Sequence, residues 1–99
     1  MKPLVVVLAK DPVAGRVKTR LGATIGDAIA AEIYRAMVTD LLEMWMQRAW
    51  PWDLEIHLDR PSSFYARFPF ARALQVGADL GEKLYHSLSN GLARGASAV

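Results

Sequence analysis

Ninety-nine residues suit a single small domain, and a composition 53% hydrophobic and 22% charged excludes a disordered chain. With no cysteine there is no disulfide framework, thiolate nucleophile or thiolate metal cage, a usage that fits the cytoplasm. A net charge of +2 argues against a nucleic-acid partner, which needs a broad basic face, and no apolar run approaches the roughly 18 residues that span a membrane.

The opening run Leu4 to Ala9, LVVVLA, is continuous, apolar and rich in β-branched side chains, which predicts a central strand buried on both faces. It is too short for a secretory signal, and Lys10, Asp11 and Pro12 stand where a small-residue cleavage site belongs. A loop to about Gly22 follows. Thr24 and Asp27 then resemble a capping box opening a long helix, with Ile29, Ile33, Met37, Leu41, Met44 and Trp45 as its apolar stripe. Pro51 breaks that helix and makes Ala49-Trp50 non-helical; Trp45, Trp50 and Trp52 read as a packing cluster.

Asp53 to Asp59 alternates, Leu54, Ile56 and Leu58 against Glu55 and His57, which predicts a half-exposed strand near an edge. One helical turn is expected over Phe64 to Arg67, and a short third strand over Ala73 to Val76. Asp79 and Glu82 mark the start of a helix whose Leu80, Leu84, Leu88 and Leu92 form one stripe and which Gly91 and Gly95 end. Ala96 to Val99 looks like the first step of another strand. Strands alternating with helices predict an α/β fold of three αβα layers on a mostly parallel sheet. The expected organisation is one domain over 1–99, cut short, with open sheet edges that invite homo-oligomers.

Charge is concentrated at the start. Residues 1–20 carry five cations against Asp11 alone, whereas 21–99 carry seven cations and nine anions. Lys10, Arg16, Lys18 and Arg20 share a loop with Gly15, directly after a strand, where α/β proteins commonly hold phosphate. Neither a Walker loop nor a G-x-G-x-x-G fingerprint is present. The surviving reading is a looser cradle in which Gly15 lets backbone approach a polyphosphate, and Arg16, Lys18 and Arg20 alternate along one side of an extended segment. Its rival is a solvated basic loop. Asp59, Gln75, Gly77 and Asp79 follow strand ends, the ligand-facing edge of such sheets. Gln75 has an amide suited to a base and Asp59 a carboxylate suited to a ribose, while Asp79 serves equally as a helix cap. His57 and His86 lack partners at metal spacing and read as structural or solvent-facing, and no Ser-His-Asp arrangement is evident.

Two segments together carry a family resemblance. Residues 10–21, KDPVAGRVKTRL, resemble the K-x-P-x-x-G-x-V-K-T-R-L signature of an uncharacterised bacterial family with the glycosyltransferase-A, or nucleotide-diphospho-sugar transferase, fold. Residues 75–84, QVGADLGEKL, are similar to its second motif, Q-x-G-x-D-L-G-E-[RK]-[LM]. The first signature is also similar to that of phospholactate guanylyltransferases. The resemblance implies the N-terminal, Rossmann-like half of that fold, with Arg16, Lys18 and Arg20 on phosphate and Gln75, Gly77 and Asp79 in the same cleft. The implied partner is a nucleotide or sugar nucleotide, and the implied reaction glycosyl transfer; nucleotidyl transfer and a non-catalytic nucleotide-binding or oligomerising fragment stand as alternatives. Family members place a divalent-metal aspartate in a later G-x-D-x-P segment. Mg²⁺ or Mn²⁺ is therefore expected of a complete enzyme, but no residue of this sequence is assigned to it, and no catalytic residue is identified.

Overall fold

The computed structural model describes residues 2–47 and 49–99. In chain order its elements are strand β1 (Leu4–Ala9), helix α1 (Thr19–Ile25), helix α2 (Asp27–Met46), strand β2 (Asp53–Leu58), a 3-10 turn (Phe64–Arg67), strand β3 (Ala71–Leu74) and helix α3 (Leu80–Ala93). The fold is α/β with an all-parallel sheet in the order β1-β2-β3. The chain forms two compact units. One holds the strand segment ending at Ala9 with Trp50–Pro61 and Pro69–Val99; the other holds Lys10–Ala49 and Ser62–Phe68.

The first unit contains the sheet and α3. Its strands end level, since Ala9 is in register with Leu58 and Leu58 with Leu74. β2, expected near an edge, is the middle strand, and β1, expected at the centre, pairs with β2 alone as a strand. The half-exposed reading of β2 fails because α3 sits over its polar face. His57 is only 2% exposed there, and its ring reaches Ser87 in α3. α3 comes close because it offers small residues to the sheet. Ser87 and Gly91 are buried, and a Cβ on Gly91 would meet Leu4 at 3.0 Å. Gly91 therefore lies inside the helix and does not end it; the chain turns at Gly95, with φ of 99°. The predicted leucine stripe is not the buried face, for Leu80, Leu84, Leu88 and Leu92 are all exposed.

β3 begins and ends two residues earlier than predicted. Gln75 N–H still donates to the Leu58 carbonyl at 2.7 Å, but Gly77 at φ of 134° turns the chain toward α3. Residues 97–98 touch β1 through two hydrogen bonds, Ser97 N–H to Lys2 O at 3.4 Å and Leu4 N–H to Ala98 O at 2.8 Å. A regular parallel ladder would route both through one residue. The pairing is out of step by one, which is why no fourth strand forms.

The second unit contains α1, α2 and the 3-10 turn. Helix begins at Thr19, five residues before the expected start, and breaks at Gly26, whose φ of 95° separates α1 from α2. Thr24 lies within α1, so no capping box forms with Asp27, which opens α2 after an N-cap glycine. α2 runs to Met46 but buries Ala30, Ala31 and Leu42, while Ile29, Met37, Leu41 and Met44 of the predicted stripe are exposed. The 3-10 turn forms where expected. Phe64, Tyr65 and Phe68 pack their rings together, with the Arg67 guanidinium 4.2 Å above the Phe64 ring.

Candidate functional site

In the second unit the segment Lys10 to Lys18 is a loop whose backbone is hydrogen-bonded to its neighbours. Its backbone is tied down at both ends of the opening. Lys10 N–H donates to the Tyr34 hydroxyl at 2.9 Å, and the Tyr65 hydroxyl donates to Lys10 O at 2.7 Å. Arg35 Nη1 donates to Pro12 O at 2.8 Å, and Ser62 Oγ donates to the Asp11 carboxylate at 2.7 Å. A turn follows, with Arg16 N–H bonded to Val13 O at 3.0 Å, and Val17, 1% exposed, anchors its far end.

The cations stand differently from the expectation. Residues 16, 18 and 20 do not alternate along an extended segment. Gly15 has φ of 84°, Lys18 is left-handed at φ of 47°, and Arg20 belongs to the first turn of α1. The loop is curled because the chain must reverse into a helix at Thr19. Among the described residues, the side chains of Lys10, Arg16, Lys18 and Arg20 have no ion pair or hydrogen bond within the protein. Lys10, Arg16 and Arg20 are exposed and Lys18 is half-buried.

Asp27, read from the sequence as a capping partner, lies against this loop. Its carboxylate would touch a Cβ placed on Gly15 at 3.7 Å and would collide with one placed on Gly22. Gly22 is thus small because a carboxylate is folded over it. The only signal in the sequence was the recurrence of glycine seven residues apart, at 15 and 22, which says nothing about what approaches.

In the first unit, Asp59, Gln75, Gly77 and Asp79 all follow the carboxyl ends of strands. Asp59 N–H donates to Ala9 O at 3.2 Å. Gln75 Nε2 donates to two backbone carbonyls, Ala9 O at 3.2 Å and His57 O at 2.8 Å, so its amide stitches the ends of β1 and β2. Gly77 could not carry a side chain: a Cβ would lie 2.6 Å from Glu82 Cβ and 2.9 Å from Lys83 N. Asp79 caps α3, accepting from Glu82 N–H at 2.8 Å, and the Glu82 carboxylate accepts from Ala78 N–H at 2.6 Å. The capping reading of Asp79 and Glu82 is therefore realised.

Sequence reasoning missed a polar line through this unit. Glu55 Oε1 lies 3.0 Å from His57 Nε2, and His57 Nδ1 lies 2.7 Å from Ser87 Oγ. A carboxylate only accepts, so Nε2 carries a proton, and in the neutral ring Nδ1 accepts from Ser87. Arg94 grips Glu55 with two bonds of 2.8 Å. The Arg94 bond holds the Glu55 carboxyl below its ordinary range, with the His57 bond adding to it against the opposing effect of burial. Serine, histidine and glutamate in a line invite comparison with a nucleophile relay. Ser87, however, is buried inside α3, where backbone N–H groups are committed to the helix ladder and none is left for an oxyanion. The line joins α3 to β2. Its 30-residue separation in sequence hid it.

No group of three or more His, Cys, Asp or Glu side chains comes together among the described residues. No helix among the described residues is long and apolar enough to cross a membrane.

No protein-family model matches the chain, and no curated protein matches it. Among solved structures it is similar to the putative nucleotide-diphospho-sugar transferase from Desulfovibrio desulfuricans G20, at 32% identity and a TM-score of 0.83. The match takes in 95% of this chain, and the chain spans 43% of that protein's length.

Proposed function

From a chain with the glycosyltransferase-A-like fold of nucleotide-diphospho-sugar transferases, we propose that it binds the phosphates of a nucleotide or sugar nucleotide through the cationic loop. The observation carrying this reading is the contrast within that loop. Its backbone is pinned by Tyr34, Tyr65 and Arg35, while its side-chain cations are left without protein partners. Four cations within the eleven residues from Lys10 to Arg20, none in an ion pair among the described residues, are open to the oxygens of an anionic ligand.

Arg16, Lys18 and Arg20 are the proposed phosphate ligands, with Lys10 adding charge and Gly15 allowing close backbone approach. Arg offers a planar fork to two phosphate oxygens and Lys a mobile point charge. In a glycosyl transfer the bond from sugar carbon to diphosphate oxygen breaks, and the leaving nucleoside diphosphate gains negative charge. The loop's contribution is to stabilise that charge electrostatically, with no covalent intermediate on the protein. Within the unit that holds the sheet, Asp59, Gln75, Gly77 and Asp79 are proposed separately as contacts for a nucleoside. For Gln75 this leaves its carbonyl oxygen as the reading group, since its Nε2 is engaged by two carbonyls.

Calorimetric titration with UDP and GDP tests the proposal on the protein and on Lys18→Ala/Arg20→Ala. A charge-assisted bond is worth roughly 1.5–3 kcal/mol, so each lost cation weakens binding by roughly tenfold or more. Unchanged affinity in the double variant would overturn it. Product analysis separates the reactions open to a longer protein: sugar transfer releases a nucleoside diphosphate, nucleotidyl transfer from a triphosphate releases pyrophosphate.

A further inference from the structure

Helix α2 sets two consecutive side chains against the backbone that opens the cationic loop. Tyr34 accepts the Lys10 N–H at 2.9 Å, and Arg35 Nη1 donates to Pro12 O at 2.8 Å. Pro12 stands at a sharp turn: Val13 N–H closes onto Asp11 O at 2.8 Å, a three-residue turn that the fixed φ of proline suits. The next turn follows at once, Arg16 N–H onto Val13 O at 3.0 Å. The Arg35 guanidinium is therefore bonded within one residue of the turn that carries Gly15 and Arg16. Arg35 is half-buried, and a single carbonyl occupies one N–H of a fork that offers several. Among the described residues it has no ion pair, and its remaining N–H groups have no acceptor. Glu32, one turn earlier on α2, makes no ion pair with it, and the Asp11 carboxylate beside Pro12 takes a hydrogen bond from Ser62. A neutral donor would hold one carbonyl as well. A cation kept partly out of water without a counter-charge is destabilising, and an anion that completes the fork offsets this.

We propose that Arg35 is a phosphate-binding residue of this loop, a held guanidinium on α2 that grips one phosphoryl group of the ligand together with the loop's own cations. The inference rests on the phosphate-binding reading of the loop and adds to it a residue from outside the loop. The two roles of Arg35 support each other. Its bond to Pro12 O limits the orientations of the fork, and a fork already oriented gives up less freedom on taking two phosphate oxygens than an unattached side chain does. Tyr34 supplies the contrast, since it ties the same stretch of backbone and carries no charge.

Calorimetry with inorganic pyrophosphate and with UDP, at low and high salt, tests this on the protein and on three variants. Arg35→Gln keeps a donor for Pro12 O and removes the charge; it weakens both ligands by roughly tenfold or more and flattens the dependence on salt. Arg35→Lys keeps the charge without the fork, so it loses less and retains the salt dependence. Tyr34→Phe removes a comparable tie to the backbone and no charge, so it weakens binding by about threefold or less and leaves the salt dependence as it was. On the unaltered protein, the Arg35 guanidinium N–H resonances, identified by their loss in Arg35→Lys, shift as pyrophosphate is added. The inference is overturned if Arg35→Gln does no more than Tyr34→Phe, if its salt dependence matches that of the unaltered protein, or if the guanidinium signals stay in place at saturation. Should any of these accompany weakened binding in Lys18→Ala/Arg20→Ala, the loop reading stands and Arg35 alone leaves it. Should the unaltered protein bind neither pyrophosphate nor UDP, both fall.

Discussion

Two glycine-bearing turns of this chain follow strands and precede helices, and they treat charge in opposite ways. In the turn from Gln75 to Glu82 each polar side chain has a backbone partner: Gln75 bonds two carbonyls, and Asp79 and Glu82 each accept an N–H. In the loop from Lys10 to Lys18 the backbone is just as well held, yet the cationic side chains have no partners among the described residues. The first turn is shaped by interactions internal to the protein. The second is held in shape by its neighbours while its cationic side chains make no ion pair among the described residues. Being charged and near a strand end is thus weak evidence for a binding role; being charged and unspent is better evidence.

The comparison is broken most severely at Gly77. Its φ of 134° is barely accessible to a side-chain-bearing residue, and a Cβ would strike the Glu82 and Lys83 backbone region at 2.6–2.9 Å. Gly77→Ala is expected to destabilise the protein by about 2–4 kcal/mol, measured by urea unfolding, because backbone strain adds to a steric clash that no rotamer relieves. A loss under about 0.5 kcal/mol would show that the turn has another conformation available.

Next in size is the polar line of the first unit. Ser87→Ala leaves the buried His57 Nδ1 without its donor and should cost about 1–3 kcal/mol. The same line gives stability a pH dependence of known sign. Glu55 titrates lower in the folded protein than its ordinary value of 4.5, with Arg94 the main cause. A carboxylate with a depressed folded value contributes stability that is present above that ordinary value and lost as pH falls through the depressed one. The size is modest. The Arg94 side chain is 49% exposed, so solvent screens the pair and its share stays below about 1 kcal/mol. Unfolding midpoints between pH 7 and pH 3 should fall for the protein and fall less for Arg94→Ala; identical slopes would remove Arg94 as the cause.

A smaller effect separates capping from ligand binding at Asp79. Asparagine caps helices about as well as aspartate but carries no charge. Asp79→Asn is therefore expected to change stability by less than about 0.5 kcal/mol, whereas Asp79→Ala loses about 1 kcal/mol of cap. If nucleotide affinity measured by calorimetry shifts in Asp79→Asn while stability does not, Asp79 contacts the ligand as well as the helix.

The sequence made the order of elements legible because strands and helices leave different periods, and here they alternate. It also made the Asp79–Glu82 cap legible, since both partners lie within one turn. Burial was much less visible. The apolar stripe of α3 is real, but spacing cannot say whether a stripe meets this sheet, and the buried positions turned out to be the small ones, Ser87 and Gly91. The curl of the cationic loop depended on Lys18 adopting a left-handed backbone, which lysine seldom does, and on a helix starting at Thr19 without a side-chain cap. Neither leaves a compositional trace. The Glu55–His57–Ser87 line and the position of Asp27 are contacts made through tertiary folding, and a single sequence contains no record of which distant side chains meet.

Asp27 sharpens the comparison from the other side. The loop's cations are unspent, but a carboxylate lies within van der Waals reach of where a Gly15 side chain would begin. An anion drawn to the loop would meet like charge there. At exposed sites, where the effective dielectric approaches that of water, two charges several ångströms apart interact by about 1 kcal/mol or less, and salt reduces this further. Asp27→Asn keeps the shape and removes the charge, so it should tighten binding of UDP or GDP by roughly two- to fivefold at low salt, and by less at high salt. Asp27→Ala is a poorer probe, since it also empties the space over Gly22. Weaker binding in Asp27→Asn would mean that the carboxylate orients the loop or the ligand and does not merely oppose it, and Asp27 would then belong with the cations as part of the site.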